Sequence, residues 1–256
     1  MPAVSPEGAG PVSVVLTGRA GGTTHLAVEA LAALPPEFRL IGGLAVLCRV
    51  GMPHRATVDL DALARGLEGF DAALRRLALS SAGGGQYVMP GRLDLDVIDV
   101  SPASASELVE ALSAQGPLSD LELNVVAHTW AHDTAAPVTI TVVGDDGVPL
   151  TGRVDRLVAS TAGLVAMKAT TVPLRASSKP EKRASDLYDL SRLLVAARGA
   201  QRLWEAPAVL REAIMERLAG WFVDPGGRDR TYREIRRFDE VRIDLDEVAD
   251  AVGDLG

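Results

Sequence analysis

The order of apolar and polar residues predicts that strands and helices alternate along the first half of the chain. Short apolar or alternating runs predict strands at 12–16, 38–41, 57–61, 92–100, 121–127 and 138–143. Apolar residues spaced three or four apart, or clustered after a glycine pair, predict helices at 25–34, 44–47 and 63–77. Ser104 followed by Glu107 is a capping-box pattern and predicts a further helix. The segment 81–85 has the small residues of a loop.

Beyond residue 158 the pattern becomes helical. Ser160 is a typical helix cap, and apolar periodicity predicts helices at about 160–173, 183–198, 206–221 and 244–252. Between the last two, residues 224–237 are rich in glycine and arginine and indicate a connector. We therefore expect an α+β protein of mixed α/β character. A mixed sheet flanked by helices would occupy residues 1–158, and a helical lobe residues 159–256.

Composition limits the class of protein. The chain has 256 residues, 47% of them hydrophobic, which is enough for one large globular domain or two small ones. No apolar run approaches the roughly 18 residues that a membrane span requires, and residues 1–10 do not resemble a secretory signal. A single cysteine, Cys48, excludes an intramolecular disulfide. These features predict a cytoplasmic protein without a membrane partner.

The first chemical signal is a glycine pair followed by two acids. Gly42 and Gly43 come after an apolar pair, and Asp59 and Asp61 alternate with apolar residues. On a strand these two carboxylates share one face, about 7 Å apart, and they repel each other unless a cation lies between them. Mg²⁺, or Mn²⁺, is the natural candidate because it takes oxygen ligands together with substrate phosphates. The structural alternative is a helix cap and a solvated edge strand.

The second alternating strand adds more acids. Asp94, Asp96 and Asp99 lie within 92–100, and a strand paired beside Asp59 would bring a third carboxylate to the first two. Asp94 and Asp96 share one face, so periodicity does not separate them. We expect Asp99 to be a solvated residue.

A lysine and a basic segment form the third signal. Lys168 lies within an apolar helix, where a lysine either extends its amine to solvent or has a functional role. Downstream, Lys179, Lys182 and Arg183 precede an Asp-x-x-Asp-Leu sequence that begins at Asp186. This local basic surface contrasts with a net charge of −8, which does not favour nucleic-acid binding.

His128 and His132 have the spacing of two metal ligands on a helix. The glutamate of a zinc protease motif is missing, and the segment is predicted to lie between strands. We therefore assign these histidines no metal.

Taken in order, the signals resemble known nucleotidyltransferases. The Gly-Gly turn and the Asp-x-Asp strand are similar to those of the DNA polymerase beta superfamily. With the apolar-Lys helix and the basic stretch leading into Asp-x-x-Asp-Leu, the chain resembles the AbiEii-type nucleotidyltransferase toxins, including the MenT group. The resemblance covers 40–61, 94–98 and 164–194. It implies a nucleotidyltransferase fold whose helical lobe completes the active site.

The resemblance assigns the metal and phosphate groups. Gly42 and Gly43 would cradle phosphates, and Asp59 and Asp61 would ligate the metal. The third acid of the superfamily follows one apolar residue and precedes two. This pattern matches Asp96, and Asp94 stays a rival.

The resemblance also assigns the helical lobe. Lys168 would contact the triphosphate, and Asp186 would be the acid that the family places in this lobe. Asp189 is expected on the outer face of its helix. Lys179, Lys182 and Arg183 are the candidate contacts to the acceptor.

The implied activity is transfer of a nucleoside monophosphate from a nucleoside triphosphate to an acceptor hydroxyl, with release of pyrophosphate. In the toxin families this acceptor is the 3′ end of tRNA, and a cognate antitoxin protein restrains the toxin in a type IV-like toxin–antitoxin system. One alternative keeps the chemistry and changes the acceptor to an aminoglycoside-like molecule or a protein hydroxyl. Another is an inert binding or regulatory module.

Overall fold

The computed structural model describes residues 12–51, 59–175, 179–197, 199–238 and 243–255. Eight strands form one mixed sheet: β1 (Val12–Thr17), β2 (Arg39–Ile41), β3 (Asp59–Arg65), β4 (Ser80–Gly83), β5 (Gln86–Met89), β6 (Leu93–Val100), β7 (Ala136–Val143) and β8 (Val154–Val158). Their order across the sheet is β1-β7-β8-β2-β3-β6-β5-β4. The fold class predicted from the sequence is confirmed.

Ten α-helices are described: α1 (Thr23–Ala33), α2 (Gly42–Val50), α3 (Asp71–Leu77), α4 (Ala105–Ser113), α5 (Asp120–Asp133), α6 (Thr161–Leu174), α7 (Pro180–Ala197), α8 (Ala208–Leu218), α9 (Pro225–Ile235) and α10 (Leu245–Gly253). Two predicted caps are present, because the Ser104 and Glu107 side chains form a reciprocal capping box and the Ser160 side chain accepts from the amide of Gly163. No helix in the described ranges is long and apolar enough to cross a membrane.

The centre of the sheet positions the acidic residues. Strand β3 pairs in parallel with β6 and antiparallel with β2, so its apolar residues are buried on both sides. Strand β2 is short, and its last residue, Ile41, lies opposite Asp61 and leads directly into α2. The start of α2 therefore lies beside the acidic strand. The residues predicted at 57 and 58 lie outside the described ranges.

Four predicted elements were wrong. Residues 121–127 belong to α5, whose cap Ser119 forms a second capping box with Glu122, and this helix is buried on several sides, so it lacks a clear helical period. Residues 63–65 extend β3, and only 71–77 are α-helical. The predicted loop 81–85 lies in a β4–β5 hairpin. The predicted connector 224–237 is largely α9, which begins at Pro225 and tolerates glycines in its first turn.

A continuous apolar core joins the sheet to the helices. Helix α5 packs against α6, and α7 packs against both α2 and α6. The helices that follow residue 158 therefore share their core with the acidic strand. The division at residue 158 stays a prediction.

Candidate active site

The predicted carboxylates meet on one face of the sheet. In the parallel pairing of β3 with β6, Asp59 lies opposite Asp94 and Asp61 lies opposite Asp96. Paired residues of neighbouring strands have side chains on the same face, and the two strands lie about 4.8 Å apart. The structure thus gathers all four aspartates, and the predicted rivals Asp94 and Asp96 are neighbours on one strand.

Gly42 lets the acidic strand approach the start of α2. Its φ is +69°, and a Cβ built at this position would lie 1.9 Å from Oδ2 of Asp61 and 2.8 Å from Cβ of Asp61. Any side chain at position 42 would therefore displace the carboxylate of Asp61. It would also have to adopt a left-handed backbone conformation, which is unfavourable for residues other than glycine. Gly43 follows as a buried residue of the first helical turn. Gly42 thus allows the carboxylate of Asp61 to lie directly against the start of α2.

Charge repulsion is concentrated at Asp61. Burial, followed by the charges of Asp59 and Asp96, raises the pKa of Asp61 from 3.8 to about 6, while Lys168 and Lys182 act in the opposite direction. Asp96 is the β6 carboxylate that acts on Asp61. Three negative groups thus converge where the local cations only partly compensate them.

This donor set fits a hard divalent cation. Asp59, Asp61 and Asp96 offer carboxylate oxygens alone, which suit Mg²⁺ better than zinc. Across the described ranges, no three His, Cys, Asp or Glu side chains are already arranged to hold a metal ion. The fit therefore rests on the chemistry and mutual repulsion of the carboxylates rather than on a closed coordination shell.

Asp99, by contrast, has a structural role. Its Oδ1 accepts hydrogen bonds from the amides of Gly66 and Leu67, at 2.9 and 3.1 Å. These bonds hold the turn that follows β3 and keep Asp99 apart from the other acids.

Lys168 is locked between two acids of α7. Its Nζ lies 2.9 Å from Oδ1 of Asp186 and 2.7 Å from Oδ2 of Asp189, and the lysine is only 8% exposed. Burial by itself would lower the pKa of Lys168, but the two carboxylates outweigh it and raise the pKa above its ordinary value. Arg175 forms a further ion pair with Asp186. The ammonium therefore does not extend to solvent.

The structure also corrects the prediction for Asp189. It was expected on the outer face of its helix, but it is 0% exposed and pairs with Lys168. The spacing Asp-x-x-Asp places positions i and i+3 on one helix face, so the signal was present in the sequence. The apolar neighbours Tyr188 and Leu190, which are also buried, concealed it.

A cavity of about 320 Å³ joins the acids to the lysine. Its walls come from β3, α2, α5, α6 and α7, and include Gly42, Gly43, Asp59, Asp61, His128, Met167, Lys168, Arg175, Lys182 and Asp186. Asp59 and Asp61 thus lie at one wall, and Lys168, Arg175 and Lys182 lie with Asp186 at another. This arrangement suits a ligand that carries both phosphates and a bound cation.

His128 is a cavity residue that the sequence did not assign. Its Nδ1 lies 2.7 Å from the carbonyl oxygen of Asn124 and therefore donates the proton, leaving Nε2 as an acceptor. Burial lowers the pKa of His128, which keeps the ring neutral. The error in predicting 121–127 as a strand hid its position on α5.

The three candidate acceptor contacts lie in two different environments. Lys179 and Lys182 are exposed near the start of α7, and Lys182 lines the cavity. Arg183 instead forms an ion pair with Glu234 of α9. The basic segment therefore offers one exposed lysine that lines the cavity, a second exposed lysine just before α7, and one arginine that connects α7 to α9.

Comparison with known proteins adds one match. A family model described as "Nucleotidyl transferase AbiEii toxin, Type IV TA system" matches residues 26–251, which include every candidate site residue. No curated protein and no solved structure matches the chain.

Proposed function

Because the chain belongs to the AbiEii family of nucleotidyl transferase toxins of type IV toxin–antitoxin systems, we propose that it transfers a nucleoside monophosphate from a nucleoside triphosphate to the 3′ end of tRNA. The observation that carries this proposal is one cavity with Asp59 and Asp61 at one wall and the Lys168–Asp186 pair at another. A cognate antitoxin protein is the proposed partner, and the cytoplasm the proposed site of action.

The proposed phosphate site lies at the start of α2. Gly42 and Gly43 line the cavity, and the missing side chain at position 42 allows close approach to Asp61. A helix N-terminus also presents unpaired amides, which favour anions. The triphosphate would therefore lie between this turn and the cationic wall.

Asp59, Asp61 and Asp96 are the groups proposed to hold Mg²⁺ or Mn²⁺. When bound there, such a cation would neutralise the phosphate oxygens and lower the pKa of the attacking hydroxyl. The protein's own contribution is to fix the carboxylates on adjacent strands, because β3 is paired with β6 along seven residues and with β2 along three, which permits little movement.

The proposed reaction is an in-line displacement. The acceptor oxygen attacks the α-phosphorus, the bond to the bridging oxygen breaks, and pyrophosphate leaves. The proton of the hydroxyl passes to a carboxylate of the acidic strands. Lys168 and Arg175 stand on the cationic wall, where they offset charge that develops on the leaving group.

One feature favours an RNA acceptor. Lys182 lines the cavity and is exposed, and Lys179 is exposed three residues before it, where an acceptor stem would bring its phosphates. The alternative acceptors are an aminoglycoside-like molecule, which the net charge of −8 favours, and a protein hydroxyl. An inert module would have lost part of the site, whereas all the proposed carboxylates and the lysine are present.

A labelling experiment separates these acceptors. The protein is incubated with each of the four α-labelled ribonucleoside triphosphates and Mg²⁺, in the presence of total tRNA, an aminoglycoside mixture or a protein extract. Label is expected in tRNA, and it should resist release by phosphatase because the new nucleotide is joined by a phosphodiester bond. Label in the aminoglycoside or in protein alone would favour the corresponding alternative.

A further inference from the structure

A second cavity lies on the same face of the sheet, between the acidic strands and the sheet edge formed by β4 and β5. It measures about 410 Å³ and is lined by Asp59, Ser80, Ser81, Ala82, Gln86, Tyr87, Val88, Asp94, Asp96 and Lys182. We call it the hairpin cavity, because most of its wall comes from the β4–β5 hairpin. It shares Asp59 and Lys182 with the cavity that contains Lys168.

Strand register explains how this wall forms. Gln86 lies opposite Asp96 and Val88 lies opposite Asp94, and Ser80 on β4 lies opposite Val88. The acidic face of β3 and β6 therefore continues over two more strands to the end of the sheet. There it carries polar, uncharged side chains, and Gln86 and Ser80 are both exposed.

We infer that the hairpin cavity receives the 3′-terminal nucleoside of an RNA acceptor, with its ribose hydroxyl directed at Asp59 and Asp96. This inference rests on the proposed function. In an in-line displacement, the attacking and leaving oxygens lie on opposite sides of the phosphorus. Lys168 lies in the first cavity, so the leaving pyrophosphate belongs there and the attacking hydroxyl belongs on the side of the hairpin.

The residues that line the hairpin cavity indicate which kind of ligand would bind there. Three aspartates and one lysine give this cavity an excess of negative charge, which opposes a phosphate and accepts hydrogen bonds from hydroxyls. Gln86 can both donate and accept, as recognition of a base or a ribose edge requires. An uncharged nucleoside end therefore fits, while its upstream phosphates would lie towards solvent, where Lys182 and the preceding Lys179 are exposed.

Binding of two RNA ends tests this assignment. A short fluorescent oligoribonucleotide is prepared with a free 3′ hydroxyl or with a 3′ phosphate, and its affinity is measured by anisotropy without divalent cations. The protein should bind the hydroxyl form at least about tenfold more tightly, because the added phosphate would face like charges.

Two substitutions in the hairpin cavity, each with a control outside it, test whether the acceptor binds there. Ala82 is exposed on the hairpin and lines the cavity, so Ala82→Trp fills it without disturbing the core. This variant should lose the preference for the hydroxyl end, whereas Ala114→Trp, an equally exposed site at the end of α4, should keep it. In the transfer assay, Gln86→Ala should raise the KM for the acceptor about threefold to tenfold, and Gln115→Ala should not.

The outcomes distinguish this inference from the proposed function. Equal affinity of the wild-type protein for both RNA ends, or a preference that survives in Ala82→Trp, would overturn the hairpin cavity as the acceptor site. Aminoglycoside binding that Ala82→Trp removes, without discrimination between RNA ends, would overturn it in favour of a cationic acceptor. Calorimetry with the triphosphates tests the first cavity separately, since failure to bind any of them counts against the proposed function alone.

Discussion

The carboxylate of Asp61 lies closer to Gly42 than any side chain at position 42 would allow. At the scale of single residues, this contact explains why a glycine at the start of α2 and an acid on β3 belong to one arrangement. The sequence predicted both groups as parts of one site. It did not predict their contact, because the distance depends on the pairing of β2 with β3.

The shared face of the acids leads to a prediction about Asp94 and Asp96. Asp96 acts electrostatically on Asp61, so Asp96→Asn should lower the rate of nucleotide transfer by at least about 10²-fold. Asp94→Asn is the matched control on the same strand and should retain more than about a tenth of the activity. The reverse order of the two rates, at equal thermal stability, would transfer the third-acid role to Asp94.

The raised pKa of Asp61 predicts how stability depends on pH. Between its ordinary value of 3.8 and about 6, the folded protein holds a proton that the unfolded chain has already released. The free energy of unfolding should therefore fall, by up to about 3 kcal/mol, as the pH rises from about 4 to about 6. Urea unfolding without divalent cations measures this slope, and Asp61→Asn should remove it.

Mg²⁺ gives that experiment a second arm. If the ionised carboxylates hold the cation, Mg²⁺ should raise the free energy of unfolding above pH 6 and have little effect below pH 5. A Mg²⁺ effect that is independent of pH, or identical in Asp61→Asn, would contradict the assignment of Asp61 to the metal.

Lys168 has a structural role, and its contribution to stability must be separated from its proposed contact with the triphosphate. Lys168→Met removes the one cation that pairs with both Asp186 and Asp189 in a buried position, so we expect a loss of about 3–5 kcal/mol in the free energy of unfolding. Adding Asp186→Asn and Asp189→Asn removes both charges and should restore much of that loss. Calorimetry on this triple variant then tests whether Lys168 contributes to triphosphate binding. Weak binding by a stable protein would show that it does, and normal binding would show that it does not.

At the scale of elements, α7 has two different faces. The buried face brings Asp186 and Asp189 to Lys168, while the exposed first turn carries Lys182 at the cavity, just after the exposed Lys179. Periodicity predicted the helix but placed Asp189 on the wrong face. Apolar spacing alone does not reveal that a buried lysine on α6 requires two acids.

The exposed face of α7 gives a prediction about RNA. Replacing Lys179 and Lys182 with glutamine should raise the KM for tRNA and flatten its dependence on salt, by about 0.7 in log–log slope for each lost contact to a single strand. Arg183→Gln is the contrasting variant, because its loss separates α7 from Glu234 and should lower the melting temperature instead. An unchanged salt slope in the double lysine variant would place the RNA elsewhere.

Other elements show where sequence reasoning failed and why. Local signals such as the caps Ser104 and Ser160 were read correctly because they depend only on neighbouring residues. Helix α5 was missed because the apolar Leu121 and Val125 lie on its exposed side and residues 126–132 are buried all round, so no polar face marks the helical period. The β4–β5 hairpin was missed because glycines and serines at 80–85 have little strand character, and its pairing with β6 determines it.

At the scale of the whole molecule, the sheet and the helices after residue 158 form one apolar core, and the site lies where they meet. Strands β3 and β6 supply the carboxylates proposed to hold the metal, α6 supplies Lys168, and α7 supplies its two acids. The sequence predicted these groups and their order along the chain. Their assembly into two adjoining cavities depends on the position of α7 against α2 and α6, which no local pattern contains.

The central claim is that Asp59 and Asp61 support nucleotidyl transfer. The most direct measurement is the rate of pyrophosphate release and label incorporation with α-labelled triphosphates, Mg²⁺ and total tRNA. Wild-type protein and the variants Asp59→Asn, Asp61→Asn and Asp99→Asn are compared, and the last is the control because Asp99 only braces the turn after β3. We expect Asp59→Asn and Asp61→Asn to lose at least about 10²–10³-fold in rate with unchanged melting temperatures, and Asp99→Asn to stay active. Near-wild-type turnover by either of the first two variants would contradict the account.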